Sequence, residues 1–135
     1  MQPYDFDGKR NNRIEHYTFT EYPNGSLRSN VRDMHKFLSV FTNEGKYEDY
    51  QLLHSGTAQS MYTSQITNID IEVGLHMFLM ESTNNLWGHD GGEQGVATIM
   101  AFNPENNIGV ILFCNQGETD LEDTLKATYN FGTKL

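Results

Sequence analysis

Apolar residues along the chain follow a helical spacing in the first half and a strand-like spacing in the second. Val31, Met34, Phe37, Leu38 and Phe41 recur at steps of three, three, one and three, which puts them on one face of a helix over 31–41. Ser29 or Asn30 supplies its N-cap, Asp33 sits in the first turn where the helix dipole favours an acid, and Gly45 closes the segment. Ala58, Met61 and Tyr62 give a smaller apolar face over 56–63, with Ser55 as the cap, and a polar loop of about ten residues follows. Val73, Leu75, Met77 and Leu79 then alternate as a strand does. Val96–Phe102 and Ile108–Cys114 are two more strands, the second almost continuously apolar and so expected to be buried on both faces. Between them Asn103-Pro104-Glu105-Asn106-Asn107 is a turn cluster, short enough to make an antiparallel hairpin. A last helix over 119–131 opens with Thr119 and Glu122 at capping-box spacing, carries Leu121, Leu125, Thr128 and Tyr129 on one face, and stops near Gly132. The expectation is one α+β domain over 1–135: mostly irregular and helical through 65, an antiparallel sheet of about three strands over 72–115, and the helix at 119–131. Residues 1–22, polar and aromatic, are expected to lie in extended form across the surface of the rest.

The totals exclude some classes of function. With 18 acidic against 9 basic residues the net charge is −9, which argues against nucleic acid as a partner, because such binders present a basic face. No apolar run approaches the roughly 18 residues of a membrane span, and Met1-Gln2-Pro3-Tyr4-Asp5 lacks the basic-then-apolar plan of a signal peptide. Cys114 is the single cysteine and sits in an apolar run, which suits a packing thiol. The histidines at 16, 35, 54, 76 and 89 have no metal-motif spacing, so neither a metal site nor a cofactor is expected. His35 belongs on a helix surface; His76 falls in the predicted strand as a core or cleft residue; Trp87 fits a cleft wall or core packing equally well. Gly88–Gly95 lacks the Gly-Lys-Ser/Thr ending of a phosphate loop and is expected to connect two strands.

Three segments, in order, resemble the β-lactamase-related serine hydrolases, a group that includes class C β-lactamases, D-alanyl-D-alanine carboxypeptidases and related esterases. Pro23-Asn24-Gly25-Ser26-Leu27-Arg28-Ser29 with Asp33-Met34 and Phe37 is similar to their Pro-x-Gly-x-Leu-x-Ser…Asp-Met/Leu…Phe segment. Gly88-His89-Asp90-Gly91-Gly92-Glu93-Gln94-Gly95 is similar to their Gly-His-x-Gly-Gly-x-x-Gly signature. Asn103-Pro104-Glu105, Gly109-Val110-Ile111 and Asn115 match the turn and strand that follow, and Leu52-Leu53 and Met61 fit the region between.

The resemblance implies the C-terminal portion of the β-lactamase/transpeptidase-like fold and a role for each matching residue. His89-Asp90-Gly91 stands in the third motif, often Lys-Thr-Gly, on a strand beside the nucleophile. His89 becomes the polar anchor for a substrate carboxylate or for the tetrahedral intermediate. Asp90, Gly91 and Gly92 face substrate, although Asp90 replaces the usual hydroxyl, and glycine leaves room for the acyl group. The other two motifs do not match. The seven serines, at 26, 29, 39, 55, 60, 64 and 82, have no lysine three residues on. Tyr22-Pro23-Asn24 formally fits Tyr-x-Asn but overlaps the Pro-x-Gly-x-Leu segment, which lies downstream of the true second motif. The expected function is therefore a C-terminal piece of a serine hydrolase, inactive alone, acting on a small-molecule or peptide substrate only if complemented. The alternative is a non-catalytic module whose strand Ile108–Cys114 is an unprotected edge that pairs in a homodimer or with a separate N-terminal half, unless the chain's own N-terminal segment covers it. Relatives are often exported, and an export signal would precede this sequence.

Overall fold

Asn30 opens the first long helix: its side-chain oxygen accepts from the Asp33 backbone N–H at 3.1 Å, and Asp33 in turn pairs with Lys36 at 2.8 Å. In a computed structural model, which describes residues 2–18, 20–21, 24–69, 72–80 and 85–135, this helix is α1, Val31–Thr42. Its end is set at Gly45, whose φ of +87° lets its N–H reach the Val40 carbonyl at 2.7 Å. A Cβ at Gly45 would lie 2.1 Å from the Leu53 carbonyl oxygen, so no other residue fits there. Before α1 stand the short strands β1 (Tyr4–Phe6) and β2 (Asn11–Arg13). After it come β3 (Lys46–Tyr47), β4 (Tyr50–Gln51), α2 (Ser55–Met61), β5 (Phe78–Leu79), β6 (Trp87–Glu93), β7 (Val96–Asn103), β8 (Ile108–Cys114) and α3 (Glu122–Gly132). Among the described residues three helices and antiparallel sheets make an α+β fold, as expected. Among the described residues no helix is long and apolar enough to cross a membrane.

The main sheet has the order β5-β6-β7-β8, antiparallel throughout. Period-2 alternation sorts its side chains onto two faces, each covered by a helix. Trp87, Met100, Phe102 and Ile111 pack with Leu38 and Phe41 of α1 and with Met77. Ile99, Ala101, Val110 and Leu112 pack with Leu125 and Tyr129 of α3 and with Leu86. Tyr129 also anchors the β7–β8 turn, its hydroxyl accepting from Asn103 Nδ2 at 3.0 Å and Asn106 Nδ2 at 2.8 Å. Cys114 is half-buried, and its thiol points to Thr119 Oγ1 at 3.6 Å.

Five expectations change. The alternating segment 73–80 is not one strand. The end of α2 leaves carbonyls without helical partners, and these accept hydrogen bonds: Ser60 O from the Leu75 N–H at 3.2 Å, and Met61 O from the N–H groups of His76 and Met77 at 3.3 and 2.9 Å. The segment folds into a tight turn closed by the Val73–Phe78 bridge, so Leu75 is exposed while Met77 is fully buried. Gly88–Gly95 does not merely connect strands; most of it is β6, followed by a two-residue turn at Gln94-Gly95 with Gly95 at φ +76°. The Thr119–Glu122 capping box does not form: Thr119 Oγ1 donates to Gln116 O at 3.0 Å, and Asp120 Oδ1 accepts from the Glu122 N–H at 2.9 Å. Likewise Ser55 is inside α2, which starts after His54 with no side-chain cap. Finally, β8 is buried on both faces only at Val110; Gly109 is exposed and Ile111–Cys114 are half-buried.

The N-terminal hairpin β1–β2 does lie on the rest, but on the end of the sheet. Tyr4 N–H donates to Asn115 O at 2.9 Å and Asn115 Nδ2 donates to Gln2 O at 3.0 Å, beyond the last residue of β8. Tyr17 extends the contact, its hydroxyl reaching Gln94 O at 3.2 Å and Glu93 Oε2 at 3.4 Å. Beside Glu93, desolvation first and the carboxylate second raise the Tyr17 pKa above its usual range.

Candidate functional site

β6 is held as a strand by its neighbour rather than by its composition. Gly88 faces Ala101 of β7 so closely that a Cβ would stand 2.1 Å from the Met100 carbonyl oxygen and 2.6 Å from the Ala101 Cα. At Gly91 a Cβ would meet Thr98 Oγ1 at 2.6 Å. Gly92 differs, since nothing lies within 4 Å of where its Cβ would be. Packing against backbone requires the glycine at Gly88, the neighbour at Gly91 is the end of the Thr98 side chain, and Gly92 faces open space.

On its other side β6 pairs with β5 only at Trp87 and Gly88. From His89 onward no described strand borders its outer edge, so the backbone of His89–Glu93 offers N–H and C=O groups to an incoming molecule. The residues singled out by sequence divide between the two faces of this edge. His89 and Gly91 share the α1 face with Trp87, opposite Met100 and Thr98. Asp90 and Gly92 share the α3 face, opposite Ile99 and Ala97. A cleft of about 360 Å³ is lined by Asp90, Gly91 and Gly92 together with Met80, Thr98, Glu118, Asp120 and Glu122. A larger hollow of about 530 Å³, lined by Thr42, Asn43, Glu44, Lys46 and Glu48, lies at the end of α1 and holds none of these residues.

His89 is half-exposed, with 45% of its side-chain surface open to solvent. Its Nδ1 lies 2.5 Å from the Asp90 backbone oxygen and 3.9 Å from the Asp90 carboxylate. A carbonyl can only accept, so the ring donates from Nδ1 and its neutral form keeps the lone pair on Nε2. The ring packs on Phe78 (centroids 5.1 Å apart) and on His76 (5.8 Å), and His76 in turn meets Phe37 edge-on at 6.4 Å. Burial first, and the neighbouring His89 second, push the His76 pKa below its ordinary value of 6.5.

Sequence reasoning singled out His89, Asp90, Gly91 and Gly92 as candidates but did not connect His76 to them. Its signal was hidden because the alternation around it suggested a strand rather than a turn docked on α2. Trp87 proves to be core, 7% exposed, with its indole N–H donating to Asn85 Oδ1 at 3.2 Å. His35 lies on the exposed face of α1, as expected. Of the first resembling segment, Leu27 is exposed and Arg28 donates to the Tyr17 carbonyl at 2.8 Å; Tyr22 and Pro23, like Ser82, lie outside the described residues. Among the described residues no three His, Cys, Asp or Glu side chains are grouped so as to hold a metal ion.

A search among curated proteins returned no match. A family model described as Beta-lactamase matches residues 2–133, nearly the whole chain. The order of motifs, the α+β sheet and this match together place the chain in the beta-lactamase family.

Proposed function

We propose that this chain supplies the third-motif wall of a serine-hydrolase site, as the C-terminal portion of a β-lactamase-like domain spanning 1–135, and that it does not turn over substrate by itself. The observation that carries this reading is the open edge of β6: pairing with β5 stops at Gly88, and His89-Asp90-Gly91 follow at once. His89 anchors a substrate carboxylate or the developing oxyanion. Backbone groups of Asp90, Gly91 and Gly92 line the path of the acyl group, with Gly92 leaving it open. The chemistry still needs an activated nucleophile, and no serine here has the lysine that activates it in Ser-x-x-Lys. The substrate class, a β-lactam, a D-alanyl peptide or a small ester, becomes relevant once a separate N-terminal half provides that group. The test is direct. Purified chain is expected to leave nitrocefin and p-nitrophenyl esters intact and to resist labelling by a fluorescent penicillin. Stoichiometric labelling at a serine would overturn the reading. A coding region with Ser-x-x-Lys directly upstream of Met1 would identify the complementing half.

A second reading has its own observation. β8 ends the sheet order, and the N-terminal hairpin reaches only Asn115 and Gln116 past its end, so the outer side of Ile108–Cys114 has no described strand beside it. An apolar edge of this kind pairs with another chain. On this reading the protein is an interaction module that forms a homodimer through β8, or docks a separate N-terminal half there. Light scattering on concentrated protein is expected to give a dimer mass; a monodisperse monomer would remove this alternative.

A further inference from the structure

We propose that Tyr17 is a positioning residue for the candidate site strand: through Glu93 and Gln94 it ties the outer end of β6 to the segment before α1, and so fixes the backbone that His89–Gly92 present. The proposal rests on the reading of β6 as a site wall and adds a residue to it.

β6 is an edge strand with support on its outer side only near its two ends. At its start Trp87 and Gly88 pair with β5. Beyond Gly88 its inner side pairs with β7, and its outer side borders no described strand. At its finish the chain turns through Gln94-Gly95, and there the N-terminal residues arrive. Tyr17 Oη lies 3.2 Å from the Gln94 backbone oxygen and 3.4 Å from Glu93 Oε2. Its single proton is therefore shared between the last side chain of the strand and the turn that follows. Desolvation first, and the Glu93 carboxylate second, raise the Tyr17 pKa, which keeps this hydroxyl a donor. Beside it Gly95 is buried, and a Cβ there would stand 2.8 Å from Pro3 Cβ and 2.9 Å from Ile14 Cδ1. His89, Asp90, Gly91 and Gly92 thus lie between two fixed points, the β5 pairing and the Tyr17 contact.

Tyr17 is itself held from the other direction. Its backbone carbonyl accepts from Arg28 Nη2 at 2.8 Å. Arg28 stands just ahead of Asn30, the N-cap of α1. The segments Pro23–Ser29 and Gly88–Gly95, far apart in sequence, therefore meet through this one residue. Tyr17 is 38% exposed and belongs to neither apolar cluster, so its ring adds little to the core. What it adds is a set position for the end of the strand.

The experiment compares the full chain with Tyr17→Phe, which keeps the ring and removes the hydroxyl. By hydrogen-exchange NMR, the β6 amides bonded to β7 and those of Gln94-Gly95 are expected to exchange about fivefold faster, the effect of one ordinary hydrogen bond on a local opening. The β8 amides and the urea midpoint, which a merely structural residue would shift, are expected to stay unchanged. In Glu93→Gln the Tyr17 phenol, followed by its ring-carbon NMR signal, is expected to titrate at lower pH. Equal exchange rates, an increase spread evenly over β6, β7 and β8, or an unchanged phenol midpoint would each overturn the proposal. Should Tyr17→Phe disturb the fold, Arg28→Met decides in its place, with faster exchange expected at the same amides. Benzylpenicillin keeps the two ideas distinguishable. Drug-induced shifts at His89–Gly92 that need severalfold more drug in Tyr17→Phe support both. No shift in the wild-type chain sinks the site-wall reading while the exchange rates still decide the tie, and identical drug titrations in both proteins sink the positioning role alone.

Discussion

β6 and β7 are partners at every position from Trp87–Phe102 to Glu93–Val96, yet they are built from opposite materials. β7 reads Val-Ala-Thr-Ile-Met-Ala-Phe-Asn and is buried almost throughout, because α1 covers one face and α3 the other. β6 reads Trp-Gly-His-Asp-Gly-Gly-Glu and is buried only at its first two residues. In isolation its three glycines and its charges disfavour a strand. It takes the form because β7 is rigid, and because glycine lets the two backbones approach. One strand stores the stability and the next spends its freedom on presenting His89 to the outside. A site on a strand backed in this way is held more precisely than one on a loop.

The comparison can be broken most severely at β7. Phe102 is fully buried, stacked on Phe41 and edge-on to Tyr62 at 5.0 Å. Phe102→Ala is expected to cost about 3–5 kcal/mol, measured by urea unfolding, and so to unfold much of the population of an ordinary small domain. Next is Gly88→Ala, where the added methyl meets backbone atoms that cannot swing aside. A loss of about 1–3 kcal/mol is expected, together with faster amide exchange along β6 but not along β8. Uniform exchange across the sheet would show that β6 does not depend on that close approach. Tyr129→Phe removes the hydroxyl that receives the amides of Asn103 and Asn106. It is expected to cost about 1 kcal/mol in the same assay, because a buried donor loses a partner. At the small end, Gly92→Ala and His89→Gln should each change stability by no more than about 0.5 kcal/mol, since the first meets open space and the second is half-exposed. A large loss at Gly92 would mean that β6 is structural along its whole length and that the contrast with β7 is overstated.

Sequence alone carried a good part of this. α1 was legible because its cap, its acidic first turn and the buried Leu38 and Phe41 all agree. The β7–β8 hairpin was legible because the Asn103–Asn107 turn chemistry separates two apolar runs, and Asn107 does take the left-handed φ of +58°. The candidate residues 89–92 stood out through motif order, but the strand that bears them did not, since its conformation is imposed by a partner and not by its own residues. The turn at 73–78 was missed for a related reason. Period-2 alternation is a local signal, whereas the hydrogen bonds that fold this segment come from the end of α2, more than ten residues earlier. The edge position of β8 likewise depends on sheet order, and continuous hydrophobicity does not report that.

The bond between Gln2 and Asn115 joins residues 113 positions apart. Everything else that makes the main sheet is local, a meander of neighbouring strands, with helices added on either side. Chains close short loops first and long ones last, because the entropy of closure grows with separation. The meander is therefore expected to assemble first, with the N-terminal hairpin closing last over Gly95, where Pro3, Tyr4 and Ile14 come to rest. Until that hairpin closes, the far end of β8 and the β6–β7 turn stay open together.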